Sequence, residues 1–279
     1  MNEAVMKSLK HLVLWLTLAS SSLYAGELEL ADQLLLSHRD NQLIPLVSSS
    51  HPDLSVEQAY LVQAHYVKKR LAHDKVAGFK AGLTSLAAQN KFNVNQALSG
   101  VLFASGDLSA TEFIQLSQFK RLMLETEIGF EIGTAITSLI TNQAELKQHI
   151  KAVFPVIELP DIGFTSKPKG IDIIAANVGA AAFIKGKPIT DFTDFDLNAL
   201  TVTLTKNGQV VNTGKGLNAL GNQWQAALWL VNRLIAQGST LEPGQFLITG
   251  AMGKMIQAQP GDYQADFGKL GQIVFLVVP

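Results

Sequence analysis

The chain has 279 residues, 47% of them hydrophobic and 16% charged, a globular composition long enough for one large domain or two small ones and not that of a disordered chain. Twenty-two basic against 23 acidic residues leave a formal net charge of -1, which gives neither nucleic acid nor an anionic membrane surface a purchase as main partner. With no cysteine, disulfides, thiolate chemistry and lipid attachment through a thiol are excluded, so the expected partner is a small molecule or another protein.

At the N-terminus, Lys7, Lys10 and His11 precede an apolar run from Leu12 to Ala19, and Ser20 to Ala25 follow. This is the layout of a secretory signal, with cleavage expected after Ala25 and an exported, periplasmic mature chain. The run is shorter than the roughly 18 apolar residues that a spanning helix needs, so no stable membrane insertion is expected. An uncleaved N-terminal anchor and a buried helix are the alternatives.

Residues 26–115 are expected to form a mainly helical part and residues 116–279 a β-rich core, the two making one structural unit. Leu28, Leu30, Leu34 and Leu35 recur at helix spacing, and after His51-Pro52-Asp53 a second helix begins, with Ser55 and Gln58 placed as a capping box. From Val76 onward Gly78, Gly82, Gly100 and Gly106 punctuate short apolar segments, the sign of turns and strands. Farther on, 122–132 reads as a strand, 142–153 as a helix and 156–159 as a strand. Residues 200–205 and Val210-Val211, joined through Asn207-Gly208, form a hairpin signature. A helix over 223–237 and strands over 246–249 and 273–278 complete the pattern.

Glu125 and Glu127 lie inside an apolar segment, and in a strand residues two apart share a face, so both carboxylates aim at one point. Two like charges so placed are costly unless a cation or a shared proton neutralises them. Glu158 sits in a similar apolar context, and three carboxylates without cysteine suit a hard cation such as Mg²⁺, Mn²⁺ or Ca²⁺. The other possibility is that Glu125 and Glu127 face solvent while Glu158 caps a turn. Lys80, between glycines and apolar residues, is placed either to bind a substrate carboxylate and move protons or to snorkel at the surface.

Elsewhere, His65, His73 and His149 lack metal-ligand spacing, Gly214-Lys215-Gly216 lacks the rest of a dinucleotide fingerprint, and Gly250 to Lys254 is no P-loop. Nucleotide binding and serine hydrolysis are without support.

Taken together, Gly78-Phe79-Lys80-Ala81-Gly82-Leu83-Thr84, Gly100-Val101-Leu102-Phe103, Glu125-Thr126-Glu127 with Glu158, Leu220-Gly221-Asn222, Leu247-Ile248-Thr249-Gly250-Ala251 and Pro260-Gly261-Asp262 resemble the fumarylacetoacetate-hydrolase superfamily. The likeness is to its hydratase and decarboxylase branch, the 2-oxopent-4-enoate hydratases above all, and runs from about residue 30 to the end. It implies an α+β fold, a helical N-terminal part packed on a twisted, rolled mixed β-sheet core, in a homo-oligomer. It also implies Mg²⁺ or Mn²⁺ on Glu125, Glu127 and Glu158, and Lys80 as the catalytic residue. Leu83, Ile128, Asn177 and Thr249 then border a 2-oxo acid substrate. The implied activity is hydration of a 2-hydroxy-2,4-dienoate through a metal-stabilised enolate; the alternatives are decarboxylation, acylpyruvate hydrolysis, or a lapsed relative that only binds a small carboxylate. Two positions depart from the family pattern: Ala97-Leu98 stands where the hydratases carry Pro-Asp, and Ala176-Asn177 where they carry Asp-Asn.

Overall fold

The computed structural model describes residues 26–279; the expected secretory signal lies outside the described residues. Helix α1 (26–39) turns Leu30, Ala31 and Leu34 inward, one stripe at helical spacing. After the short α2 (Val47–Ser50) comes α3 (Val56–Arg70), opened by the reciprocal Ser55–Gln58 capping box and closed by Lys68, Lys69 and Arg70, cations that suit the negative end of a helix. Its inward face carries Ala59, Val62, Gln63 and Tyr66. Gln63 ties it down by donating to the carbonyls of Ser99 and Ile174.

The next elements are β1 (Val76–Gly82), α4 (Leu86–Phe92), β2 (Leu98–Phe103), β3 (Ile114–Gln115) and β4 (Met123–Ile132). Helix α5 (Gln143–His149), β5 (Ile150–Leu159), α6 (Gly170–Ala175), β6 (Ala182–Lys185), β7 (Thr201–Lys206) and β8 (Gln209–Lys215) follow. The chain ends with α7 (Gln223–Ala236), β9 (Phe246–Ile248), β10 (Ile256–Gln257), β11 (Gly261–Asp266) and β12 (Gln272–Val278). No described helix is long and apolar enough to cross a membrane.

The larger sheet runs β2-β1-β9-β4-β5-β6, with β10 paired to β4. The β1–β9 pair is parallel and its other pairs are antiparallel, so the sheet is mixed. A bridge between Asp107 and Phe183 brings the segment after β2 against β6, and the sheet thereby rolls until its two edges meet. Leu102, Phe154, Val156, Phe183, Phe246 and Ile248 pack together on its inner side. Its outer side meets α7 and the second sheet, β3-β12-β11-β7-β8, in the main core around Ile128, Phe130, Ile157 and Leu247. Helices α1 and α3 cover Phe103 and Ala175.

Two boundaries differ from the sequence expectation. The helix expected over 142–153 ends at His149, and residues 150–153 open β5 instead, because Ile150, Ala152 and Val153 find backbone partners in Ile132, Glu131 and Phe130 of β4. Likewise, no break in the sheet marks residue 115: β1 and β2 belong to the same sheet as β4 and β5. The hairpin forms as expected, with Asn207 and Gly208 both at positive φ, the geometry of a tight turn whose twist matches its strands.

A candidate metal and acid/base centre

Register decides what the glutamates can do. In the β4–β5 pair Glu125 stands opposite Glu158 and Glu127 opposite Val156, so all three carboxylates leave the sheet on one face. An oxygen from each lies within 4.8 Å of the others. Glu127 and Glu158 are fully buried, while Glu125 keeps some exposed surface. Lys80, on β1, is 2% exposed, so it is not a snorkelling surface lysine. Because the sheet is rolled, its ammonium reaches across to Glu158 as an ion pair; it also donates to the Val178 carbonyl at 3.1 Å.

The electrostatics follow from this crowding. Burial raises the Glu125 carboxyl to about 7, the Glu158 charge adds to the rise, and Lys80 opposes it. Burial likewise pushes Glu127 well above the usual carboxylate range, helped by Glu158 and Glu125 and opposed by Lys80 and the Gly250 amide. For Lys80, burial alone would lower the pKa, but the charges of Glu158, Glu125 and Glu127 outweigh it and the ammonium form is favoured.

With all three carboxyls ionised, one ammonium leaves two negative charges in the buried cluster, which is why the free cluster favours protonation of Glu125 and Glu127. Glu127 Oε1 and both oxygens of Glu158 have no hydrogen-bond donor, the Lys80 ion-pair contact on Glu158 aside. Buried oxygens left so are expensive. An all-oxygen set with that charge deficit fits a divalent hard cation.

The remaining expected residues fall into different places. Thr249 and Gly250 follow β9, and the Gly250 amide donates to Glu127 Oε2 at 2.7 Å; a side chain at Gly250 would strike Thr84. The Thr249 hydroxyl donates to Gln223 Oε1 at 2.5 Å. Leu83 is half-buried beside the β1 end with φ of 51°. The Ile128 side chain belongs to the outer core, so only its backbone is within reach of the Thr249 turn. The Asn177 side chain is engaged in the fold: its amide donates to the Val101 carbonyl and accepts from the Val101 N–H, both at 2.8 Å. Its side chain thus anchors a loop, in which Asn177 and Val178 both take left-handed conformations.

Leu98, beneath that loop, packs with Ala59, Ile174 and Val178, and the neighbourhood of Lys80 is apolar on this side. A cavity of about 340 Å³ bordered by His38, Tyr66, Lys120 and Asp161 touches the same loop at Ala176 and Gly179. Neither Lys80 nor any of the three glutamates borders it, so it is separate from the carboxylate cluster. Two participants had no sequence cue: the Val178 carbonyl, placed by backbone conformation, and Gln223, which reads as an ordinary helix start.

The model of the fumarylacetoacetate (FAA) hydrolase C-terminal family matches residues 80–278. The chain is 28% identical over 236 residues to the 2-keto-4-pentenoate hydratase of Paraburkholderia xenovorans (strain LB400), spanning 84% of this chain and 88% of that protein. It is 28% identical over 237 residues to the 4-oxalocrotonate decarboxylase of Pseudomonas sp. (strain CF600), spanning 84% and 90%. Among solved structures, the 4-oxalocrotonate decarboxylase from Pseudomonas putida G7, complexed with magnesium and adipate, matches with a TM-score of 0.85 at 25% identity, over 90% of this chain and 97% of that one.

Proposed function

Since this chain belongs to the fumarylacetoacetate hydrolase family, we propose that it is a lyase, a divalent-metal hydratase acting on a 2-hydroxy-2,4-dienoate or 2-oxo-4-enoate acid. The observation that carries this reading is the convergence of three carboxylates on one buried point beside Lys80. Glu125, Glu127 and Glu158 hold Mg²⁺ or Mn²⁺, in keeping with the magnesium of the related decarboxylase. The cation supplies Lewis acidity and positive charge toward the oxygens of the bound acid.

The protein's own groups then have distinct tasks. Lys80 Nζ, held as the ammonium, gives a proton to C5 of the dienol and takes back the one that the 2-hydroxyl gives up, and it then assists the water that adds its hydroxyl at C4 and its proton at C3. The Gly250 amide steadies Glu127. Thr249, Leu83 and the Ile128 backbone border the carboxylate end of the substrate.

A second reading is supported by the apolar wall of Leu98, Val178 and Ile174. Decarboxylation of a 2-oxo-3-hexenedioate breaks the C5–C6 bond, releases carbon dioxide and returns the electron pair toward the C2 oxygen, a sequence that places no water next to Lys80. Both readings are tested by following the ultraviolet absorbance of 2-hydroxypenta-2,4-dienoate and of 2-oxo-3-hexenedioate with Mn²⁺ added, and with Glu125→Gln as control. Metal-dependent loss of either signal, absent in the control, supports the enzyme, and the products choose between the readings. No turnover of either, with Mn²⁺ bound, would point to a lapsed carboxylate-binding relative.

The N-terminal pattern supports action outside the cytoplasm. Fractionation of cells making the full chain tests this: recovery in the periplasm with Gly26 as the first residue is expected, and an uncleaved cytoplasmic product would overturn it.

A further inference from the structure

Gln223 is the first residue of α7 and is fully buried, yet each of its polar groups is engaged. Its backbone N–H donates to Asn198 Oδ1, its Nε2 donates to the Gly216 carbonyl at 2.8 Å, and its Oε1 accepts the Thr249 hydroxyl. That last contact reaches the glutamates in two steps, because the residue after Thr249 is Gly250, whose amide donates to Glu127 Oε2. Gly250 has a φ of 105°, and a Cβ at this position would strike Thr84. Beyond it, Met252 donates its amide to the Thr126 carbonyl and accepts from Lys215. Asn218 donates to the same Met252 carbonyl.

A hydroxyl has one proton, and the groups within reach of the Thr249 hydroxyl are both acceptors, Gln223 Oε1 at 2.5 Å and the Ile128 carbonyl at 3.4 Å, the shorter contact being to Gln223. Thr249 therefore meets a substrate only with lone pairs, and cannot donate to a carboxylate while this contact holds.

We propose that Gln223 is a positioning residue for the carboxylate cluster: through the Thr249 hydroxyl it fixes the turn that presents the Gly250 amide to Glu127. The inference rests on the reading of Glu127 as a metal ligand. The Gly250 amide is the direct partner of Glu127, and such partners commonly carry about 10- to 100-fold of metal affinity, the range open to Gln223 acting through it.

The test is Mn²⁺ calorimetry on the full folded chain, comparing wild type with Gln223→Leu, Thr249→Val, the double variant and Thr249→Ser. Gln223→Leu and Thr249→Val are each expected to weaken Mn²⁺ about tenfold or more, the double variant no further than the weaker single, and Thr249→Ser, which keeps the hydroxyl, to bind as wild type. Asn198→Ala removes the other tether of the α7 start and is expected to lower thermal stability while leaving Mn²⁺ affinity in place. Wild-type affinity in Gln223→Leu, additive losses in the double variant, or a Thr249→Ser as weak as Thr249→Val would overturn the proposal. Should Gln223→Leu fail to fold, the contrast of Thr249→Val with Thr249→Ser decides alone. A wild-type chain that binds no Mn²⁺ would instead refute the reading of the glutamates.

Discussion

Glu125 on β4 faces Glu158 on β5 directly across the antiparallel register, a placement of like charges that destabilises a sheet by itself. A fold that keeps this pair must be compensated by what joins it. Mn²⁺ is therefore expected to stabilise the native chain and a chelator to reverse the effect. At a hundredfold its Kd the cation contributes about 2.7 kcal/mol, roughly 5–10 °C in melting temperature for a chain of this size. Differential scanning calorimetry with Mn²⁺ and then EDTA measures it. Glu125→Gln should abolish the response, and a response that survives the substitution would place the ion elsewhere.

Lys80 invites a separation of binding from chemistry. Replacing it with methionine keeps most of the volume but leaves the three carboxylates without their internal cation. Mn²⁺ affinity should then stay equal or rise, while turnover falls about 10²- to 10⁴-fold. Calorimetry and steady-state kinetics on the same Lys80→Met preparation read both quantities. A parallel fall in affinity and turnover would reduce Lys80 to a structural support.

The glutamates were legible in the sequence because strand period is rigid: Glu125 and Glu127 two apart in an apolar run must share a face. The Asn207-Gly208 turn was legible for the same local reason, as was the Ser55–Gln58 cap. Tertiary pairing decided what local pattern did not. Residues 150–153 continue a helical pattern in sequence, yet β4 offers them backbone partners, and the pairing wins. Asn177 was placed near substrate by likeness to the family. Its amide pairs with Val101, 76 residues away in sequence, a contact that no local spacing encodes. The reach of Lys80 to Glu158 also depends on the roll of the sheet, which emerges only when the segment after β2 meets β6.

His38 supplies a pH prediction independent of the glutamates. It stands edge-on to Tyr66 and faces Arg70, Lys120, Asp161 and Asp74. Burial lowers its imidazole pKa from 6.5 to about 4, Arg70 and Lys120 lower it too, and the two aspartates oppose. Between those values the unfolded chain binds more protons than the folded one, so this contribution is complete above about pH 6.5 and is lost as the pH falls toward 4. By surface area the residue is exposed, and solvent there reduces the size of the loss. His38→Gln should flatten the acid side of a plot of melting temperature against pH over that window. An NMR titration showing the ring protonating near 6.5 would contradict it.

Leu98 tests the choice between water addition and decarboxylation. It is 1% exposed and, with Val178 and Ile174, makes the apolar wall beneath the loop that holds Lys80. On β2 it is two residues from Gly100, which pairs with Lys80, so an acid at this position enters on the lysine's side of the sheet. Leu98→Asp would give a water molecule a partner next to Lys80, at a burial cost above that of a neutral polar group unless Lys80 pairs with the charge; Leu98→Asn, at a burial cost of about 1–3 kcal/mol, supplies polarity without the charge and shows whether the charge matters. The expected result is a rise in hydration of 2-hydroxypenta-2,4-dienoate relative to decarboxylation of 2-oxo-3-hexenedioate, largest for Asp, with Mn²⁺ affinity retained. If both rates fall by the same factor in both variants, the wall is packing alone and the partition is set elsewhere in the site.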